Sequence, residues 1–129
     1  MSYRLTITPK ANYLHAVVTG ANTRDNVTGY LVDVERECTV RNCFRVLIEE
    51  RLEGPRLDTL TVFQIAAEGS RRSRGQFEAI AYVDVNAEGE LMKFAETVAV
   101  NRGMPVAVFT SVAAAEAWLS GPEQGDRRP

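Results

Sequence analysis

Residues 3–8 alternate, Tyr3, Leu5 and Ile7 against Arg4, Thr6 and Thr8, which is the pattern of a strand with one wet face. Pro9 stops it and 10–12 turn the chain. Residues 13–19 (YLHAVVT) are apolar on both sides and predict a deeper second strand closing an antiparallel hairpin. The turn residues 20–23 offer Asn22 and Thr23 as N-caps. Beyond them Val27, Tyr30, Leu31, Val34 and Cys38 recur at helical steps, predicting an amphipathic helix of roughly four to five turns. Arg24, Asp25, Asp33, Glu35, Arg36 and Glu37 fall on its other side and read as a solvated face.

The third strand is predicted at 44–48 (FRVLI), ending at Glu49, Glu50 and Arg51. A loop leads to a second helix capped by Asp58, in which Leu60, Val62, Phe63, Ile65, Ala66 and Ala67 cover more than one buried face. Gly69 and the charged stretch 70–75 are expected to end it. The fourth strand is 77–83 (FEAIAYV), closed by Asp84. Asn86 or Glu88 opens a third helix with Leu91, Phe94, Ala95 and Val98 in one stripe, and Gly103 ends it in the left-handed position. The fifth strand is 105–109, and Thr110 or Ser111 caps a last helix that buries Trp118 and Leu119. The order ββαβαβαβα, with apolar helix-connected strands, defines an α/β fold: a five-stranded mixed sheet with right-handed crossovers and an antiparallel first strand at its edge. Residues 1–120 form one such domain, and the polar, proline- and glycine-containing segment 121–129 is expected to be a disordered tail.

Composition narrows the classes. With 129 residues, 45% hydrophobic and 25% charged, the chain matches an ordinary globular domain. Fifteen basic against seventeen acidic residues argue against a nucleic-acid partner. No apolar run approaches the roughly 18–20 residues that span a bilayer, and the N-terminus lacks a signal core, so the expected location is cytoplasmic. Cys38 and Cys43 have neither redox nor zinc spacing and are expected as reduced thiols.

Candidate chemistry is sparse, and no cofactor or metal site is expected. Glu49, Glu50 and Asp84 fall at the carboxyl ends of parallel strands, where open α/β sheets place ligands. Paired acids there would do acid–base work if burial raised one of them. Arg45, Arg51 and Arg56 are close in sequence, and a structural salt-bridge cluster is the simpler reading. His15, the only histidine, lies mid-strand and reads as a satisfied sheet residue. The phosphate-loop motifs are absent. Arg71, Arg72 and Arg74 read as positive charge against the negative end of the second helix; a membrane surface would use the same charges.

The element order and one local feature resemble the STAS domains, the SpoIIAA-like fold of anti-sigma-factor antagonists, over residues 3–119. In the antagonists the third strand ends in an acidic residue and a short loop leads to an Asp-Ser pair whose serine is phosphorylated by a partner kinase. Val46-Leu47-Ile48-Glu49 resembles that strand end, and Asp58-Thr59 falls close to the pair. Leu60-Thr61 and Gly54-Pro55-Arg56 depart from the antagonist pattern and look more like a divergent SpoIIAA-like branch of bacterial proteins. For that branch, similarity to lipid-carrier folds implies apolar ligands or membrane surfaces.

Two functions follow as expectations, neither of them enzymatic. One is a regulatory docking module of the STAS type, using Glu49, Asp58 and Thr59 toward a protein partner. The other is a binding protein for an apolar or amphipathic ligand, with peripheral membrane contact as a variant. In it the second helix acts as a flap, hinged at 51–57 and loose at 70–75, closing Val62, Phe63 and Ala66 over Phe94 and Val98. A carboxylate enzyme built on Glu49, Glu50 and Asp84 comes third. The polar outer face of the first strand suggests a monomer or weak homodimer.

Overall fold

The computed structural model describes residues 3–73, 75–85 and 89–121. In chain order these form β1 (Tyr3–Pro9), β2 (Leu14–Ala21), α1 (Arg24–Arg41), β3 (Arg45–Glu53), α2 (Thr59–Ser73), β4 (Ala79–Asp84), α3 (Gly89–Val100), β5 (Val106–Phe109) and α4 (Val112–Ser120). The fold is α/β with one five-stranded mixed sheet in the order β1-β2-β3-β4-β5. β1 is antiparallel to β2, while every later pairing is parallel.

Sequential order sets the layers. Each crossover from β2 to β5 steps in the same direction, so right-handedness puts α1, α2 and α3 on one face. On that face Leu14, Ala16, Val18, Val46, Ile48, Leu52 and Ile80 pack under Val27, Tyr30, Val34, Cys38 and Ala99. The alternate strand residues Leu47, Ala79, Ala81 and Val83, with Tyr13 just ahead of β2, face the other way and meet Ala115 and Leu119 of α4. Period two in the strands therefore divides the core between three helices and one.

Caps define the helix ends. Thr23 Oγ1 accepts from Asn26 N–H at 3.1 Å, and Asp58 Oδ1 accepts from Thr61 N–H at 2.7 Å. Ser111 Oγ accepts from Ala114 N–H, and Gly103 takes the left-handed conformation at φ 86°. Gly29, in the middle of α1, is explained by packing: a Cβ there would lie 3.1 Å from the Tyr3 ring, whose hydroxyl donates to Asp33.

Several boundaries differ from expectation. β3 does not stop at Glu49 but runs to Glu53, because Glu50 and Leu52 continue its buried alternation and find partners inside. α2 does not end at Gly69. Ser70 is buried and returns its hydroxyl to the Ala66 carbonyl, and Arg72 forks onto Glu35 of α1 with two 2.8 Å hydrogen bonds. The helix consequently runs to Ser73. The expected hinge is thus shortened, since 51–53 is strand and only 54–58 links it to α2, and the far end expected to be loose, 70–73, is anchored helix. The last two strands also start late, β4 at Ala79 rather than at Phe77 and β5 at Val106 rather than at Pro105. The expected caps Asn86 and Glu88, Arg74, and the tail beyond Gly121 lie outside the described residues.

Candidate functional site

The extension of β3 sorts its two adjacent acids onto opposite faces. Glu49 shares parity with Leu47 and faces the α4 side, while Glu50 shares parity with Val46, Ile48 and Leu52 and faces α1–α3. Both are almost entirely buried, at 6% and 4% exposure.

Glu49 is neutralised where it sits. His15 Nε2 lies 2.8 Å from its Oε1, and Arg51 Nε donates to its Oε2 at 2.5 Å. Burial alone would raise this carboxyl, but the hydrogen bonds and charges of His15 and Arg51 outweigh it and hold Glu49 below the ordinary range. The other expected members of the arginine cluster go elsewhere. Arg45 is buried at the start of the strand and donates to the Leu119 carbonyl, and Arg56 donates to the Gly54 carbonyl.

Glu50 has different company. The Tyr30 and Tyr82 hydroxyls donate to its Oε2, Tyr82 at 2.6 Å, and the two hydroxyls touch each other at 2.5 Å. Asp84, its register partner on β4, is hydrogen-bonded to it from the strand alongside. Desolvation and then the Asp84 carboxyl push Glu50 up to about 8, against the lowering effect of the two tyrosine hydroxyls. Near neutrality Glu50 therefore holds its proton, hydrogen-bonded to the Asp84 side chain. Both tyrosines are raised well above 10, first by burial and then by the Glu50 charge.

This cluster stands at one end of a cavity of about 180 Å³, more than ten times the space one water needs. The cavity runs beneath α2, between it and the sheet. Glu50, Tyr82 and Asp84 line it at the carboxyl ends of the strands; Val62, Ile65 and Ala66 roof its middle; and Ser70 and Ser73 line it at the far end of α2. α3 supplies a wall of Leu91, Met92, Ala95 and Ala99. The lining is overwhelmingly apolar.

The sequence-predicted residues separate on this geometry. Val62 and Ala66 line the cavity, whereas Phe63, Phe94 and Val98 do not. Phe63 is 37% exposed and carries the Arg102 guanidinium 5.3 Å from its ring centroid. α3 turns a neighbouring stripe toward the space, leaving Val98 in packed contact elsewhere. Asp58 and Thr59 are exposed at the start of α2, on the helix-covered face, so Glu49 on the opposite face is not brought to them. Nor are Glu49, Glu50 and Asp84 assembled as a triad, since only the last two meet. The helical spacing puts Tyr30 on the buried stripe of α1, but nothing in the sequence marks it or Tyr82 as part of a site. For Tyr82 the available signal is strand parity, because Tyr82 and Asp84 alternate with the buried Ala81 and Val83, as Glu50 does with Leu47 and Glu49.

Chemically, the site offers a largely apolar channel whose polar lining includes Glu50, Asp84, Tyr82 and Arg56. Cys38 is buried away from it, its thiol pushed up to about 12 by burial and then by nearby Cys43 and acids, which makes it unreactive. Cys43 is likewise a free thiol. Among the described residues, no group of His, Cys, Asp and Glu could hold a metal ion, and no helix is long and apolar enough to cross a membrane. No protein-family model matches the chain, and no curated protein is similar to it in sequence.

Proposed function

We propose that this chain is a non-catalytic binding protein for an apolar or amphipathic small molecule held beneath α2. The observation that carries this reading is the cavity itself: apolar along its length, with Glu50, Tyr82 and Asp84 converging at one end. A few convergent polar groups in an apolar pocket are what a ligand site needs for orientation and affinity. The free thiols suit a reducing compartment, so we place the protein in the cytoplasm.

Binding of the neutral fluorescent dye phenylnaphthylamine tests this. One dye per chain should bind with a blue-shifted emission. Ala66→Phe, which fills the middle of the channel, should abolish that signal while stabilising the fold by about 1 kcal/mol, as cavity-filling substitutions do. Dye binding unchanged by Ala66→Phe, or absent from the wild type, would refute the reading.

A docking role of the STAS type has one observation of its own. Asp58, Thr59 and Leu60 present an exposed acid, hydroxyl and apolar side chain at the head of α2, Leu60 at 65% exposure. A protein partner that protects these residues from hydrogen exchange or proteolysis would support that second reading. Phosphate incorporated at Thr59 by a kinase partner would tie it to the STAS resemblance.

A further inference from the structure

We infer that the occupant of this cavity is uncharged and linear, an alkyl chain lying along α2 with a single hydroxyl at the Ser70–Ser73 end. This rests on the small-molecule reading above and adds the charge of the ligand and the direction in which it lies.

Among the described residues, each charged side chain on the cavity wall already has a partner within the protein. Arg72 forks onto Glu35 with two 2.8 Å hydrogen bonds. Glu96 accepts from the Val108 N–H at 2.9 Å and from Lys93 Nζ at 3.1 Å. Glu50 is held by Tyr30, Tyr82 and Asp84, and Arg56 and Asp84 are engaged as well. An ionic head of either sign would therefore give up its hydration without meeting an unpaired countercharge. An uncharged ligand incurs no such penalty.

The neutral polar side chains fix the direction. Asn22 donates to the Pro55 carbonyl at 2.9 Å, Ser70 to the Ala66 carbonyl at 2.7 Å, and Tyr82 to Glu50. Ser73 also lines the cavity and is 2% exposed, yet among the described residues its Oγ has no hydrogen-bond partner. Buried hydroxyls are seldom left so, because the lost hydration is not recovered. Ser70 lies three residues earlier and shares that face of α2. Its hydrogen goes to Ala66, so its oxygen keeps lone pairs that can accept. A ligand hydroxyl accepts from Ser73 and donates to Ser70, which neither a hydrocarbon end nor a carbonyl can do. From Ser73 back to Val62 the helix spans about 16 Å, which calls for an extended rather than a globular chain.

Displacement of bound phenylnaphthylamine from the whole chain at neutral pH, by n-octanol, n-octylamine and octanoate in turn, tests this. Octanol should displace the dye at a concentration about tenfold or more below that of either ion. Ser73→Ala should raise the octanol concentration required about fivefold, the worth of one hydrogen bond, and leave the affinity of the dye unchanged. Ser70→Ala removes the acceptor and should give a loss of the same size, so it decides the question even if Ser73→Ala does not fold. Either ion displacing the dye as well as octanol does overturns the head-group assignment and leaves the small-molecule reading standing. So does an octanol affinity untouched by the serine substitutions, or one that falls only in step with the affinity of the dye. Failure of the dye to bind the wild type overturns both.

Discussion

Glu49 and Glu50 are the same residue type, consecutive in one strand and almost equally buried, yet their environments drive them in opposite directions. Glu49 meets a histidine and an arginine on the α4 side and is held as a carboxylate. Glu50 meets two tyrosines and a second carboxyl on the three-helix side and holds a proton up to about 8. Burial raises both; what differs is the charge of the neighbours, and the pleat of β3 assigns those neighbours. One face of the sheet therefore uses its acid as a structural anion. The other keeps a protonatable acid at the end of an apolar channel, a combination more common at functional sites than in plain core.

The largest expected effect breaks this comparison at Glu50. Its folded pKa lies above the unfolded value of 4.5. Its contribution is therefore complete below about 4.5 and is lost as pH rises toward 8. Through that window wild-type stability should fall by about 1.4 kcal/mol per pH unit from this group. Glu50→Gln should flatten the profile and be the more stable protein at pH 8, by about 1–4 kcal/mol, as when a buried charge is replaced by a neutral group of its own size. Urea denaturation at several pH values between 5 and 8 measures it. A wild-type profile that is flat or rises over this range would show that Glu50 is ionised in the folded chain.

How much of this was legible beforehand follows from where the chemistry lies. The strand and helix order could be read because Tyr3, Leu5 and Ile7, or Val27, Tyr30, Val34 and Cys38, repeat at the period of their element. The caps Thr23, Asp58 and Ser111 could be read because capping is a local contact. The end of β3 could not, because an acid pair looks like a stop until its partners are known, and those partners lie 32 and 34 residues away at Tyr82 and His15. The end of α2 was missed for the same reason: Arg72 extends the helix through Glu35, a residue on another helix. The apolar surplus of α2 was visible, and Val62 and Ala66 do line a space. Which stripe of α3 faces them depends on the rotation of that helix, which packing sets.

A smaller effect should come from the other acid. The folded pKa of Glu49 is lowered, so its stabilisation is present above the unfolded value of 4.5 and is lost as pH falls through the folded one. Glu49→Gln removes the charge that His15 and Arg51 address and should cost about 1.5 kcal/mol at neutral pH, the scale of a hydrogen bond to an ion. The cost should disappear in strong acid, where the wild-type carboxyl is protonated as well. Denaturation followed from pH 7 downward through the whole acid limb separates the two conditions. An equal loss at both would mean that Glu49 acts by its shape and not by its charge.

The smallest effect sharpens the comparison and isolates one hydrogen bond. Tyr82 and Tyr30 each lower the Glu50 pKa by donating to Oε2, in opposition to burial and Asp84. Tyr82→Phe deletes one of those donors while leaving the ring in the cavity wall. The ionised form of Glu50 loses a partner and the protonated form loses less, so the Glu50 proton should persist to higher pH. One hydrogen bond to an anion, weakened here by the Tyr30 hydroxyl that remains, corresponds to about half to one pH unit. Carboxyl-carbon NMR of glutamate-labelled protein would follow the titration directly, with Glu49 as an internal reference. Because Tyr82 lies on the three-helix face, the Glu49 titration should stay where it is while that of Glu50 moves upward. A downward move would mean that the tyrosine hydroxyl accepts a hydrogen bond from the protonated Glu50 carboxyl in the folded protein, reversing the order of donation at the pole.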